Sequence, residues 1–142
     1  MKLLILNGPN INFMGIREVD IYGAISYKQI NKMIKSFAFK NKVKVNIKQT
    51  NCEGKMIDII QNAYFKHYNG IIINPGAYTH TSIALLDAIK SVSIETVEVH
   101  MSDVSKREDF RQISYIRKAC AKTIIGGGIN CYLEAIIYFC KK

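Results

Sequence analysis

The chain has 142 residues, 49% of them hydrophobic and 22% charged, with a formal net charge of +9. That length suits one domain, spanning 1–142, able to bury about two thirds of its unfolded surface without disulfides or metal. No apolar stretch reaches the length of a membrane span, and no composition bias points to disorder, collagen or a disulfide scaffold.

Residues 2–7 follow a lone lysine with an apolar run too short for a signal-peptide core. They read as a first strand, and a cytoplasmic protein is expected. Residues 26–41 read as a helix, opened by Ser26 and Gln29 in capping-box order. Lys28, Lys32 and Lys35 form one stripe of that helix, and Ile30, Ile34 and Phe37 form the apolar stripe beside it. Much of the positive charge therefore reads as a solvated face, weak ground for a nucleic-acid binder and compatible with attraction of a small anion. Residues 43–49 alternate apolar and polar as a half-exposed strand. Residues 54–68 carry Met56, Ile59, Ile60 and Ala63 at helical spacing. Residues 71–74 are a short buried strand, and 81–91 a helix with Ile83, Leu86 and Ile89 inward. A strand at 94–99, a short helix at 108–114, a strand at 120–125 and a helix at 129–140 complete the chain.

Five strands alternating with helices imply a parallel sheet covered on both faces. Right-handed crossovers make a doubly wound, flavodoxin-like α/β sandwich with strand order 2-1-3-4-5 the expected solution. Its ligand crevice lies beyond the carboxyl ends of the strands, where the winding reverses between strands one and three.

The polar surplus of the sequence gathers at that end. Strand three runs into "NPGAYTHTS", more polar than a connection requires. Strand one is followed by eighteen residues, 8–25, before the helix, far beyond the usual two to six or so. "HMSD" follows strand four and "GGG" strand five. In the first loop Tyr22 is either a surface ring or a general base whose phenol is acidified by Arg17, a change of about three units or roughly 4 kcal/mol. His67 sits late in a helix and reads as structural. His100, two residues beyond Glu98 on the same strand face, is either structural or an imidazole oriented for acid catalysis. The helix expected near Thr81 would aim free backbone N–H groups into the crevice. Arg107 and Arg111 could each pair with a carboxylate.

Other site classes lack their residues. Cys52, Cys120, Cys131 and Cys140 contain no C-x-x-C pair and read as buried free thiols. There is no Walker loop, no acid pair of glycosidase type and no receiver-like pair of acids after strand one. "GGGINC" ends in Cys131 where a dinucleotide fingerprint needs glycine. A basic crevice with a Tyr–Arg pair, an imidazole and amides suits proton abstraction beside a carbonyl in an anionic substrate.

"LNGPNINFMGIREVDIYG", "QTNCEGKMIDIIQ", "INPGAYTHTSIALLDAI", "VEVHMSD" and "REDFRQIS", in that order, resemble type II 3-dehydroquinate dehydratase over nearly the whole chain. The resemblance implies a cofactor-free, metal-free lyase that takes 3-dehydroquinate to 3-dehydroshikimate by anti elimination through an enolate. It implies a homododecamer, a tetramer of trimers, with no nucleic-acid or membrane partner. Carried over by position, Tyr22 is the proton acceptor and Arg17 its activator. His100 is the proton donor, Glu98 orients it, and Asn10 helps hold a water on the enolate. Asn74, His80, Met101, Ser102 and Arg111 bind substrate, and Asp87 reaches a neighbouring subunit's site. Three positions depart from the pattern: Val19 replaces a frequent Pro, Leu86 a frequent Arg, and Cys131 a usual Gly. Two alternatives remain beside the dehydratase: a non-catalytic flavodoxin-like module for a small anion or nucleotide, and a nucleic-acid binder.

Overall fold

Uninterrupted apolar runs mark the strands buried on both faces, and alternation marks the edge. In the computed structural model, which describes residues 1–16, 20 and 24–142, β1 (Lys2–Asn7) and β3 (Gly70–Asn74) lie side by side near the middle of the sheet. Leu3, Ile5, Ile72 and Ile73 are fully buried there. Each such side chain contributes about 1.5–3 kcal/mol of transfer free energy. β2 (Lys44–Gln49) alternates exposed and half-buried residues along one edge. β4 (Thr96–His100) and β5 (Lys122–Ile125) extend the other side. All four pairings are parallel and the order is β2-β1-β3-β4-β5, as expected.

Helices cover both faces. α1 (Tyr27–Lys40) and α4 (Asn130–Cys140) pack on the side of Leu3, Ile5, Ile72 and Val97. α2 (Glu53–Phe65) and α3 (Ile83–Val92) pack on Leu4, Leu6, Ile71 and Ile73. The strand period of two sorts these residues between the faces. The capping box at Ser26 and Gln29 is present, and the lysine stripe of α1 faces outward.

Several boundaries and burials differ from expectation. α2 ends at Phe65, because His67 takes a left-handed φ of 51° that a continuing helix excludes, so His67 stands beyond the helix. Residues 108–114 hold only a 3-10 turn, Asp109–Arg111. On α3 the buried stripe runs through Leu85, Ile89 and Val92, which at 100° per residue puts Ile83 on the far side, exposed. Cys52 and Cys140 are exposed, whereas Cys131 is buried and Cys120 half-buried; all four are free thiols. Among the described residues, no helix is long and apolar enough to cross a membrane.

Two loops at the carboxyl end of the sheet cross in contact. Gly8, after β1, donates its N–H to the Asn74 carbonyl at 2.7 Å. A Cβ on Gly8 would lie 2.5 Å from the Pro75 carbonyl oxygen. Only glycine permits that approach.

Candidate active site

A cavity of about 160 Å³ opens where the sheet reverses its winding. Asn10 and Met14 reach it from the loop after β1, Asn74 from the end of β3, and Gly76 and His80 from the turn that follows. His100, Met101 and Ser102 reach it from the end of β4, with Arg107 and Arg111 beyond them. Eight of the eleven residues expected at the site fall among the described residues and either line this cavity or contact a lining group. Those eight are Asn10, Asn74, His80, Glu98, His100, Met101, Ser102 and Arg111. Asp87 does not join them; it is exposed on α3. Arg17 and Tyr22 lie outside the described residues, as does Val19.

The geometry is most developed around Glu98. Its side chain is fully buried, on the strand face shared with His100. Oε1 accepts from His100 Nε2 at 2.8 Å, from Ser114 Oγ at 3.0 Å and from Thr79 Oγ1. Oε2 accepts from Thr123 Oγ1 at 3.2 Å, with Arg117 Nε 3.9 Å away. Burial pushes the carboxyl pKa up, but the bonds from His100, Thr79 and Ser114 outweigh it and hold Glu98 below the usual carboxylate range. An ionised carboxylate only accepts, so the His100 Nε2–H donates a hydrogen bond to Glu98, and Nδ1 stays available for other chemistry.

His80 is set by a different partner. Its Nδ1 is 2.7 Å from the Ile113 carbonyl, which can only accept, so Nδ1 carries the proton. Burial lowers the His80 pKa, the bond to Ile113 opposes that, and the fields of His100 and Arg111 lower it further. The neutral ring thus keeps a bare Nε2, a hydrogen-bond acceptor.

Segment 113–115 is laced to the loop after β3. The Tyr115 N–H donates to the Thr79 carbonyl at 2.9 Å, and the Ser114 and Thr79 hydroxyls are 2.8 Å apart. On the other side, Gly126 and Gly128 donate N–H groups to the carbonyls of His100 and Met101. The "GGG" run is therefore a backbone clamp on the end of β4. Arg107 and Arg111 both approach Glu108 Oε2, at 3.6 Å and 2.8 Å.

The start of the helix near Thr81, where an anion site was expected, does not line the cavity. Thr81 closes a 3-10 turn, Gly76–His80, and the Ser82 hydroxyl caps the Leu85 N–H at the first turn of α3. The 3-10 turn, not α3, lines the cavity. Thr79, Ser114 and Thr123 were not expected at the site. Nothing in their spacing unites them, though Thr79 and Ser114 both lie inside the quoted motifs.

Gln49, the last residue of β2, and Asn51 just after it brace the first loop. Gln49 Nε2 donates to the Gly8 carbonyl and Asn12 Oδ1, and the Asn10 N–H donates to Asn51 Oδ1. Asn10 has φ 67°, a left-handed conformation that asparagine tolerates.

Among the described residues, no three His, Cys, Asp or Glu side chains are grouped to hold a metal ion. The arrangement can hold an anion near two guanidiniums, and it can pass a proton at an imidazole anchored by a buried carboxylate.

Comparison with known proteins agrees with that chemistry. The family model "Dehydroquinase class II" matches residues 1–140. The 3-dehydroquinate dehydratase of Clostridium beijerinckii is 51% identical over 136 residues, 96% of this chain and 93% of that one. The enzyme of the same name from Fusobacterium nucleatum is 49% identical over 140 residues, 97% of this chain and 95% of its own. The crystal structure of type II dehydroquinase from Butyrivibrio crossotus superposes with a TM-score of 0.97 at 47% identity, covering 100% of this chain and 98% of that one.

Proposed function

The chain belongs to the class II dehydroquinases, and from that premise we propose the chemical role of each group around the cavity. The reaction is removal of water from 3-dehydroquinate to give 3-dehydroshikimate, a step of the shikimate route to aromatic amino acids. The observation that carries the reading is the buried Glu98–His100 pair at the cavity, in a chain matched end to end by this family.

Tyr22, activated by Arg17, takes the proton next to the ketone, and an enolate forms. Both roles follow from the likeness of "GIREVDIYG" to the family's loop. Asn10 helps hold the water that stabilises the enolate. His100 gives a proton to the leaving hydroxyl, which departs as water. With Nε2 committed to Glu98, the donated proton comes from Nδ1 of the imidazolium. Glu98 orients the ring and balances its charge. Asn74, His80, Ser102 and the Met101 backbone hold the substrate's oxygens, and Arg111 pairs with its carboxylate. The net charge of +9 favours the approach of such an anion.

One catalytic domain spanning 1–142, assembled as a homododecamer of four trimers, completes the proposal. The exposure of Asp87 on α3 suits a contact with a neighbouring subunit's site. Four free thiols suit the reducing cytoplasm.

The test is direct. Chelator-treated protein mixed with 3-dehydroquinate is to develop the ultraviolet absorbance of a conjugated enone, and Tyr22→Phe is to abolish it while substrate still binds. No absorbance from folded, oligomeric protein would move the binding-module reading to the front. Full turnover in Tyr22→Phe would remove that residue from the mechanism.

A further inference from the structure

The side chain of Tyr132 on α4 is fully buried, and its phenol pKa is driven well above the ordinary tyrosine value, first by burial. It takes no part in the proton transfers above. Its hydroxyl sits between Asn7 and Asn74, cross-strand neighbours at the carboxyl ends of β1 and β3. The hydroxyl donates to Asn7 Oδ1 at 2.7 Å and accepts from Asn74 Nδ2 at 2.9 Å. Asn7 Nδ2 in turn donates to Tyr27 Oη at 3.3 Å. The Gly76 N–H donates to Asn74 Oδ1 at 3.3 Å.

A phenol has one proton to give. Once that proton is given to Asn7, the oxygen facing Asn74 can only accept, so Asn74 must turn its NH₂ toward Tyr132. The longer bond from the Gly76 N–H, at 3.3 Å, favours the same orientation from the other edge of the amide. Of the Asn74 side chain, one N–H and one carbonyl lone pair remain for the cavity, in a defined arrangement. We infer that Tyr132 is a positioning residue for substrate binding, fixing which way the Asn74 amide presents its donor and acceptor to the substrate's hydroxyl groups. This rests on the dehydratase reading and adds to it a residue from the last helix.

Steady-state kinetics on Tyr132→Phe test it. The ring packing is kept and the hydroxyl removed. KM is expected to rise about tenfold with kcat nearly unchanged, because the proton-transfer groups do not touch Tyr132. In an Asn74→Ala background the same substitution is expected to add nothing to KM. Asn7→Leu, which leaves Tyr132 in place but frees its proton to turn toward Asn74, is expected to raise KM as Tyr132→Phe does. It also serves where Tyr132→Phe does not fold. An unchanged KM in Tyr132→Phe, or an equal rise with and without Asn74, would overturn the inference by reducing Tyr132 to a packing residue. An inactive wild-type protein would instead overturn the dehydratase reading itself.

Discussion

Gly8→Ala adds one methyl group where two site loops cross. The new Cβ would lie 2.5 Å from the Pro75 carbonyl oxygen, 2.7 Å from its carbon and 3.2 Å from the Asn74 oxygen. All three atoms are backbone, so no rotamer change relieves the contact. Reaching even 3.0 Å, the floor for real Cβ contacts, requires the loops to part by about 0.5 Å. Overpacking of this kind costs about 1–3 kcal/mol, which for a chain of this size lowers Tm by about 3–10 °C. The segment that must retreat, the end of β3 and the turn after it, carries Asn74 and Gly76 into the cavity and holds the Gly8 N–H. Since about 1 Å of misplacement can cost a factor of about 100, half of that is expected to lower kcat/KM about tenfold. Thermal unfolding and the enone absorbance assay read the two effects. Gly54→Ala is the matched control: its Cβ meets nothing within 4 Å, at the second residue of α2. It is expected to leave activity alone and to hold or raise Tm, since alanine outperforms glycine in a helix by about 0.5–1 kcal/mol. Wild-type Tm and kcat/KM in Gly8→Ala would refute the crossing-loop argument.

Glu98→Gln removes the charge that faces the imidazolium and is expected to lower kcat by about 100-fold or more, measured at saturating substrate. The same variant tests the acid stability of the fold. Glu98 is held below its ordinary value of 4.5, so its stabilisation is full above that value and is lost as pH falls through the lower, folded one. The fall of wild-type Tm on acidification should therefore be shallower in Glu98→Gln; an unchanged slope would mean that Glu98 does not carry it. Ser114→Ala takes one bond from Glu98 and one from the Arg117 N–H. It is expected to cost about 1–2 kcal/mol in chemical denaturation and to lower kcat several-fold. Iodoacetamide should label Cys52 and Cys140 in the native protein and spare Cys120 and Cys131. Both of the latter thiols are pushed up to about 12, chiefly by burial. Peptide mass mapping checks this, and early labelling of Cys131 would contradict the packing of α4.

The sheet was legible because burial on two faces leaves a continuous apolar run and burial on one leaves alternation. "LLIL" and "III" showed the first pattern, and residues 43–49 the second. The end of α2 was less so: His67 leaves the helix through a left-handed turn, and no glycine stood there to signal it. At the site, Glu98 and His100 were legible as a pair because two residues on a strand share a face. Their supports were not. Thr79, Ser114 and Thr123 belong to three separate segments and converge on one carboxylate only in three dimensions. Tyr132 was hidden for the opposite reason, since its spacing in α4 is that of a core residue and the core is indeed where it lies.

The winding of the sheet also sets a timetable. β1 is made first and ends between β2 and β3, and β4 and β5 are then added outward in the order of their synthesis. A nascent chain emerging from the ribosome can therefore grow its sheet from the middle without displacing any strand already in place. The cavity is different. Asn7 and Asn74 receive their shared hydroxyl from a helix whose Tyr132 lies 125 residues after Asn7 and 32 residues (132 − 100) after His100. At about 5–20 residues per second, that interval is about two to six seconds of translation. Throughout it, the phenol that orders the two amides has not yet been made. The ordering of the two amides therefore waits on the last helix of the chain, whose docking brings the phenol to them.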